Sequence, residues 1–278
     1  MRIIIPFLLV ASLLTNSGIA QMTMVYDNDY VSYNRGLELL EKQKFGQAKH
    51  QFEEAITTNQ DQNSELSANA HFYVAQCALE LFHKDAEFLL KEFIKNYSTS
   101  TRVPDAWFLL GNYNFRKKKW EEAIEYFNQL QEINLVKPRK SEYLFKKGYS
   151  YFQIDSLDQA AAMFFQMDDY TSVYKAPGTY YLGHINYAQK KYAAALKNFD
   201  SLREHEQFGA VVPYYLVQIY HFQENYDEVI SYGTPFLNDR KVKRQAEISK
   251  VVGDAHYNLE QYDEAVPFLD MFMRANIT

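Results

Sequence analysis

A single cysteine, Cys77, among 278 residues excludes an intramolecular disulfide, so packing alone has to hold the fold. Its neighbours, HFYVAQCALEL, read as a packed helix, which makes Cys77 a small buried apolar residue rather than a reactive thiol. Ten glycines and seven prolines leave few places for turns and imply much regular structure. Positive charge is also short. With 29 Lys and Arg against 35 Asp and Glu, the net charge of −6 argues against a protein that works by neutralising phosphates, and no nucleic-acid partner is expected. Catalytic patterns are missing too: there is no H-E-x-x-H, no cysteine pair for zinc, no Gly-rich phosphate loop and no nucleophile elbow. No enzyme, cofactor or metal is implied.

Long hydrophobic runs are absent except for one. Ile3 to Leu14 is apolar, follows Met1-Arg2 and precedes the small residues Gly18-Ile19-Ala20, the pattern of a signal peptide over 1–20 cleaved before Gln21. The run contains Pro6 and falls short of the roughly 20 residues that span a bilayer. The mature chain is therefore expected to be exported, periplasmic or outer-membrane associated, with no integral membrane segment and a short N-terminal segment over 21–28. No cysteine follows the run to carry a lipid.

What the chain has in abundance is aromatic: 23 Tyr and 20 Phe. It also repeats itself. Gly111 is followed by Ala123 and Phe127; Gly36 leads likewise to Ala48 and Phe52, Gly148 to Ala160 and Phe164, Gly183 to Ala195 and Phe199, and Gly253 to Ala265 and Leu269. A sixth copy carries Val217, Val229 and Gly233, and a seventh, one residue shorter in its turn, carries Ala75, Ala86 and Leu90. The leading small residues lie 34 to 39 positions apart, which divides 29–278 near 29–64, 65–103, 104–140, 141–175, 176–209, 210–245 and 246–278. Each copy reads as two helices. In DAWFLLGNYNFRKKKWEEAIEYFNQL, Trp107, Leu110, Gly111 and Asn114 form one stripe, and Trp120, Ala123, Ile124, Phe127 and Leu130 a second, with RKKK between them. Glycine inside a helix costs about 1 kcal/mol, so Gly111 and Ala123 are expected where the two backbones close on each other. YSTSTRVPDA (97–106), LVKPRKS (135–141), Tyr170–Gly178, Glu204–Gly209 and Asn238–Arg244 read as linkers, and repeats two and six as degenerate.

Trp107, Leu110, Gly111, Ala123 and Phe127 resemble the tetratricopeptide signature W-x2-L-G-x2-Y, A-x3-F, P; Asn114 stands in place of the Tyr, and the closing Pro is absent. The resemblance implies an all-α, right-handed solenoid of about seven helix-turn-helix repeats over 29–278. FIKNYSTSTRVPDAWFLLG is also similar to the periplasmic members found among outer-membrane assembly factors and envelope coordinators, with Ser98 where those have Pro.

A solenoid of this family offers partners a concave face built from first helices. With each leading small residue at position eight, the family geometry implies that positions five, nine, twelve and thirteen face the groove. Position five gives Tyr33, Phe72, Phe108, Phe145, Tyr180 and Tyr214, broken by Lys250. Position twelve gives Leu40, Leu79, Phe115, Phe152, Tyr187, His221 and Tyr257. Asn112, Arg116, Tyr149, His184 and Gln218 add hydrogen-bonding groups. The rings have two readings, as packing between helices or as a surface for a peptide or partner helix. A co-chaperone clamp for an acidic tail is not formed, because Phe108 and Phe115 take the places of its polar partners. His184, His221 and His256 fall in successive repeats. Arg240, Lys241, Lys243 and Arg244 read as a solvated loop, with an anionic envelope surface as the alternative.

The reading reached is a non-catalytic scaffold of the bacterial cell envelope. The competing one is a module of a larger or oligomeric protein, since Ala265 to Thr278 reads as a last helix whose apolar face has no successor, leaving self-association or a continuing chain to cover it.

Overall fold

The computed structural model describes residues 20–59, 61–130, 135–167 and 172–275. The leader expected over 1–20 lies outside them, apart from Ala20. Among the described residues there are fourteen α-helices and no strand, which read in chain order as seven successive pairs. The pairs are α1 (Ala20–Glu41) with α2 (Phe45–Thr58), α3 (Glu65–Glu80) with α4 (Ala86–Asn96), and α5 (Val103–Arg116) with α6 (Trp120–Asn128). Then come α7 (Lys137–Gln153) with α8 (Leu157–Phe165), α9 (Lys175–Ala188) with α10 (Tyr192–Asp200), α11 (Val212–Phe222) with α12 (Tyr226–Gly233), and α13 (Gln245–Asn258) with α14 (Tyr262–Ala275). Helix α1 begins ahead of the first repeat's expected start, since 21–28 contain no Pro or Gly to stop it.

The chain divides into two compact units between Tyr113 and Asn114, inside α5. In the first unit α1 to α4 pack consecutively, and in the second α6 to α14 do; first helices of successive repeats also meet, α1 with α3 in the first unit, α7 with α9 and α11 with α13 in the second. Each repeat thus buries its apolar stripe on its neighbour.

The nearest neighbour of Gly36, Gly148, Gly183 and Gly253 is the large side chain four places after the alanine, a phenylalanine or in the last repeat Leu269. A Cβ added at Gly36 would stand 2.6 Å from the Phe52 ring, one at Gly183 2.9 Å from Phe199, and one at Gly253 2.8 Å from Leu269. Phe52, Phe164 and Phe199 are fully buried or nearly so. The alanine marks the first turn of the second helix. Its N–H bonds the carbonyl that precedes the second helix, as Ala48 does with Lys44, Ala160 with Ser156 and Ala195 with Lys191.

All seven pairs turn in the same way. The seventh residue after each leading small one has a left-handed backbone: Gln43, Phe82, Lys118, Asp155, Lys190, Glu224 and Glu260, with φ from 55 to 61°. In the first pair the N–H of Gln43 bonds Leu40 O and that of Lys44 bonds Leu39 O; Lys190 and Lys191 do the same with Tyr187 and Asn186. This closes the first helix through its orphan carbonyls. None of the seven is glycine, and a side chain there costs about 1–2 kcal/mol. Repeats two and six share the left-handed turn, but in repeat two Ala86 follows it one residue sooner than Ala48 does in repeat one, and its N–H bonds His83 O, three residues back. The second helix of repeat six is short because it passes at Thr234 into a 3₁₀ turn (Thr234–Asn238) carrying Pro235.

Three expected linkers are partly helical. Val103–Ala106 forms the first turn of α5, and Lys137–Ser141 lies within α7. Pro104 and Pro138 sit where helix N–H groups have no partner anyway, so proline opens these helices instead of ending the preceding loop. The described part of Tyr170–Gly178 likewise runs into α9.

Candidate partner-binding face

The position-five and position-twelve residues do not form one uniform surface. Phe72 and Phe108 are 3% and 5% exposed, so both belong to the core and neither offers a partner an open ring. In the first unit Tyr33 meets Phe52 edge-on at 5.8 Å, and Tyr73 stacks on Phe52 at 4.9 Å. Burial, and then Tyr73, push the Tyr33 hydroxyl up to about 12. Arg102 closes this cluster: it donates to Tyr73 Oη (2.8 Å) and Asn69 Oδ1 (3.2 Å), pairs with Asp105 and lies over the Phe72 ring. Here the packing reading accounts for the rings.

Tyr73 belongs to a set that position counting overlooked. It occupies position six, as do Tyr181 and Tyr215. Each stacks on the second-helix phenylalanine of the preceding repeat: Tyr73 on Phe52 at 19° between planes, Tyr181 on Phe164 at 21°, and Tyr215 on Phe199 at 14°. That phenylalanine is therefore held between its own repeat's glycine and the next repeat's tyrosine, and it couples a helix pair to its successor. The signal was present as a tyrosine one place after position five in three repeats.

In the second unit, repeat four gathers Phe115, Phe145, Tyr149 and Phe152. Phe115 is edge-on to Trp120 and Tyr149, Phe145 stacks on Tyr174, and Tyr181 meets both Tyr149 and Phe152 at about 5 Å. Burial, then Tyr149, raises Tyr181 to about 12. Arg116 is exposed; Asn112, which belongs to the first unit, is half-buried.

Repeats five and six bring together Tyr180, His184, Tyr187, Tyr214 and Gln218. Tyr180 stacks on Phe208 at 4.7 Å and meets Tyr215 edge-on, while His184 stands 4.7 Å from the Tyr215 ring. Burial, and secondarily Arg244, holds His184 below its ordinary value and hence neutral at pH 7. Burial is also the main cause that raises Tyr180, and it carries Tyr187 up to about 12. A polar relay runs along this face: Tyr187 donates to Gln218 Oε1, and Gln218 Nε2 donates to Tyr214 Oη at 2.8 Å. Arg244, read from sequence as part of a solvated loop, lies over the Tyr214 ring at 4.6 Å. The side chain is exposed as expected, and its place over the ring has a structural cause. Lys243 N–H bonds Ala210 O at 2.8 Å and Val242 is buried, so the end of this linker is fastened to the preceding one.

The three histidines of successive repeats do not converge. His184 packs on Tyr215, His221 on Tyr226 at 5.6 Å, and His256 stacks on Phe268 while bonding Gln261 Oε1. Among the described residues no three metal-ligating side chains cluster. Cys77 is buried, and burial raises its thiol to about 11. In the last repeat Tyr257 is exposed and meets Tyr262 edge-on, and Val266 and Met273 of α14 are exposed as well.

The helix pairs, the glycine-to-ring contacts and the repeated turn define a helical-repeat solenoid. Two stretches of it, residues 33–81 and 104–134, each match a family model described as a tetratricopeptide repeat. No curated protein matches the chain in sequence. Among solved structures the chain is similar to MamA (19% identity, TM-score 0.51, covering 62% of this chain and 91% of MamA). It is also similar to PilF of Pseudomonas aeruginosa (17%, TM-score 0.53, 80% and 96%) and to a tetratricopeptide repeat protein from Parabacteroides merdae (12%, TM-score 0.51, 90% and 93%). At these identities the likeness is one of fold.

Proposed function

We propose that the chain is a non-catalytic scaffold of the bacterial cell envelope, which holds a protein or peptide partner against the aromatic face of repeats five and six. The observation that carries this is the polar relay Tyr187, Gln218 and Tyr214 set among half-buried rings. Rings with a hydroxyl tip supply large contact area at low entropic cost, and such residues dominate interface energetics. In repeats one and two the corresponding rings are closed off by Arg102 and by burial. The fold supports the scaffold reading, since repeat proteins present extended surfaces. The apolar leader supports export.

The test is capture from the envelope fraction with the wild-type chain and a Tyr187→Ala/Tyr214→Ala pair, whose helical melting curves serve as the folding control. The wild-type chain should recover a partner that the pair loses by at least about tenfold, consistent with hot-spot truncation of 2 kcal/mol or more. The chain recovered from cells should begin at Gln21. Equal recovery by both proteins would remove the face from the account, and a mature chain beginning at Met1 would remove the export.

A further inference from the structure

The linker that ends repeat six places a guanidinium beside this relay. Arg244 has φ of 59°, a conformation that non-glycine residues seldom adopt, and its carbonyl accepts the N–H of Ile248 at the start of α13. Lys243 N–H on Ala210 O fastens the backbone immediately before it. Its side chain is exposed, with the guanidinium 4.6 Å from the centre of the Tyr214 ring. Cation stacking of this kind orients the planar fork and leaves donors along its edge.

Hydrogen-bond accounting at Tyr214 gives a second line. Gln218 Nε2 donates to Tyr214 Oη, and Gln218 Oε1 is taken by Tyr187. The hydroxyl hydrogen of Tyr214 then meets no acceptor among the described residues. Arg244 also hydrogen-bonds the Tyr214 hydroxyl oxygen, so the phenolic hydrogen and the rest of the guanidinium edge lie together, and what these remaining donors lack is an acceptor.

Charge gives a third. Arg240, Lys241 and Lys243 are exposed beside Arg244, and none of the four makes an ion pair among the described residues. The acid whose charge reaches Arg244 is Glu247, and Asp239 is engaged by the backbone N–H of Lys241. Lys250, at position five of repeat seven, stands 3.9 Å from Asp254. This end of the face is therefore cationic in a chain whose net charge is −6. Further along α11, about two turns beyond Tyr214, lies Phe222, 53% exposed, stacked on Tyr192 at 5.4 Å and in contact with Tyr187.

We propose that Arg244 and Tyr214 receive a carboxylate, so that the face of repeats five and six selects an acidic peptide segment, with an apolar side chain further along the segment resting on Tyr187 and Phe222. The inference rests on the reading that this face binds a partner. A bidentate guanidinium–carboxylate contact supplies both charge and direction, while the surrounding cations act mainly on the rate of encounter.

The experiment selects random twelve-residue displayed peptides on the immobilised full chain, then measures the best synthetic peptide by fluorescence anisotropy. Selected peptides should be rich in Asp and Glu next to aromatic or aliphatic residues. Binding should weaken at least about tenfold in Arg244→Glu, less in Arg244→Lys, and about threefold in Tyr214→Phe, with melting curves unchanged. Neutral or basic winners, no enrichment, Arg244-dependent binding to anionic phospholipid vesicles in place of peptide, or equal affinity in Arg244→Glu would each overturn the proposal. If Tyr187→Ala/Tyr214→Ala abolishes binding while Arg244→Glu does not change it, the acidic selectivity falls and the binding face stands. If the tyrosine pair also binds normally, the face itself is wrong.

Discussion

Phe199→Ala is expected to lower the free energy of unfolding by about 3–5 kcal/mol, the range for truncating a buried aromatic ring where the site cannot collapse. Phe199 is wholly buried; on one side its ring occupies the space that Gly183 leaves, and on the other it stacks on Tyr215 at 4.9 Å. Truncation removes both contacts, so it weakens the pair α9 and α10 internally and also uncouples it from α11. Stability in a repeat array is roughly a sum of repeat and nearest-neighbour terms, so a single side chain that serves both kinds is unusually costly to lose. Phe165→Ala supplies the contrast. That ring is 73% exposed and its loss should stay within about 0.5 kcal/mol. Urea titration of the three proteins, with hydrogen exchange across α9 to α11, checks both numbers. A Phe199→Ala loss under about 1 kcal/mol would mean that the repeats are not coupled through this ring.

Gly36→Ala is a contest between two effects of opposite sign. Helix propensity alone favours alanine by about 1 kcal/mol. Packing opposes it, because the new Cβ would lie 2.6 Å from Cε1 of the Phe52 ring, and Phe52 is wholly buried between Tyr33 and the stacked Tyr73. Forcing a methyl into a filled core costs about 1–3 kcal/mol. The expected result is a net loss of about 1 kcal/mol, and a larger one for Gly36→Leu. Combining Gly36→Ala with Phe52→Leu should recover part of it, since residues in contact do not act additively. A stabilised Gly36→Ala would show that the glycine is not there for the ring.

The repeat architecture was legible because small residue, alanine and phenylalanine recur at fixed spacing, and helix pairing demands all three. The partner of the glycine was less so. Gly36 and Ala48 look like two small residues facing each other, whereas the glycine faces Phe52 and the alanine N–H closes onto Lys44. The seven left-handed turn residues left no compositional trace, since Gln43, Phe82, Lys118, Asp155, Lys190, Glu224 and Glu260 share a place in the repeat but no chemistry. Pro104 and Pro138 were assigned to linkers because proline serves a loop and a helix's first turn equally well.

The candidate face was legible as a set of rings, but not as to which rings are open. Burial of Phe72 and Phe108 depends on how repeats stack, which no single repeat's periodicity reports. Arg244 was hidden for a related reason. A basic run in a linker looks solvated until a backbone bond such as Lys243 to Ala210 fixes where its last side chain points.

The central claim, that a partner lies against the first-helix face of repeats five and six, is tested most directly by site-specific photocrosslinking in the native cell. A photoreactive residue replaces Gln218 in one strain and Asn198, on the second helix α10, in another. The account predicts a discrete crosslinked partner from position 218 and none from 198, identified by mass spectrometry. Crosslinking from 198 with none from 218 would contradict it.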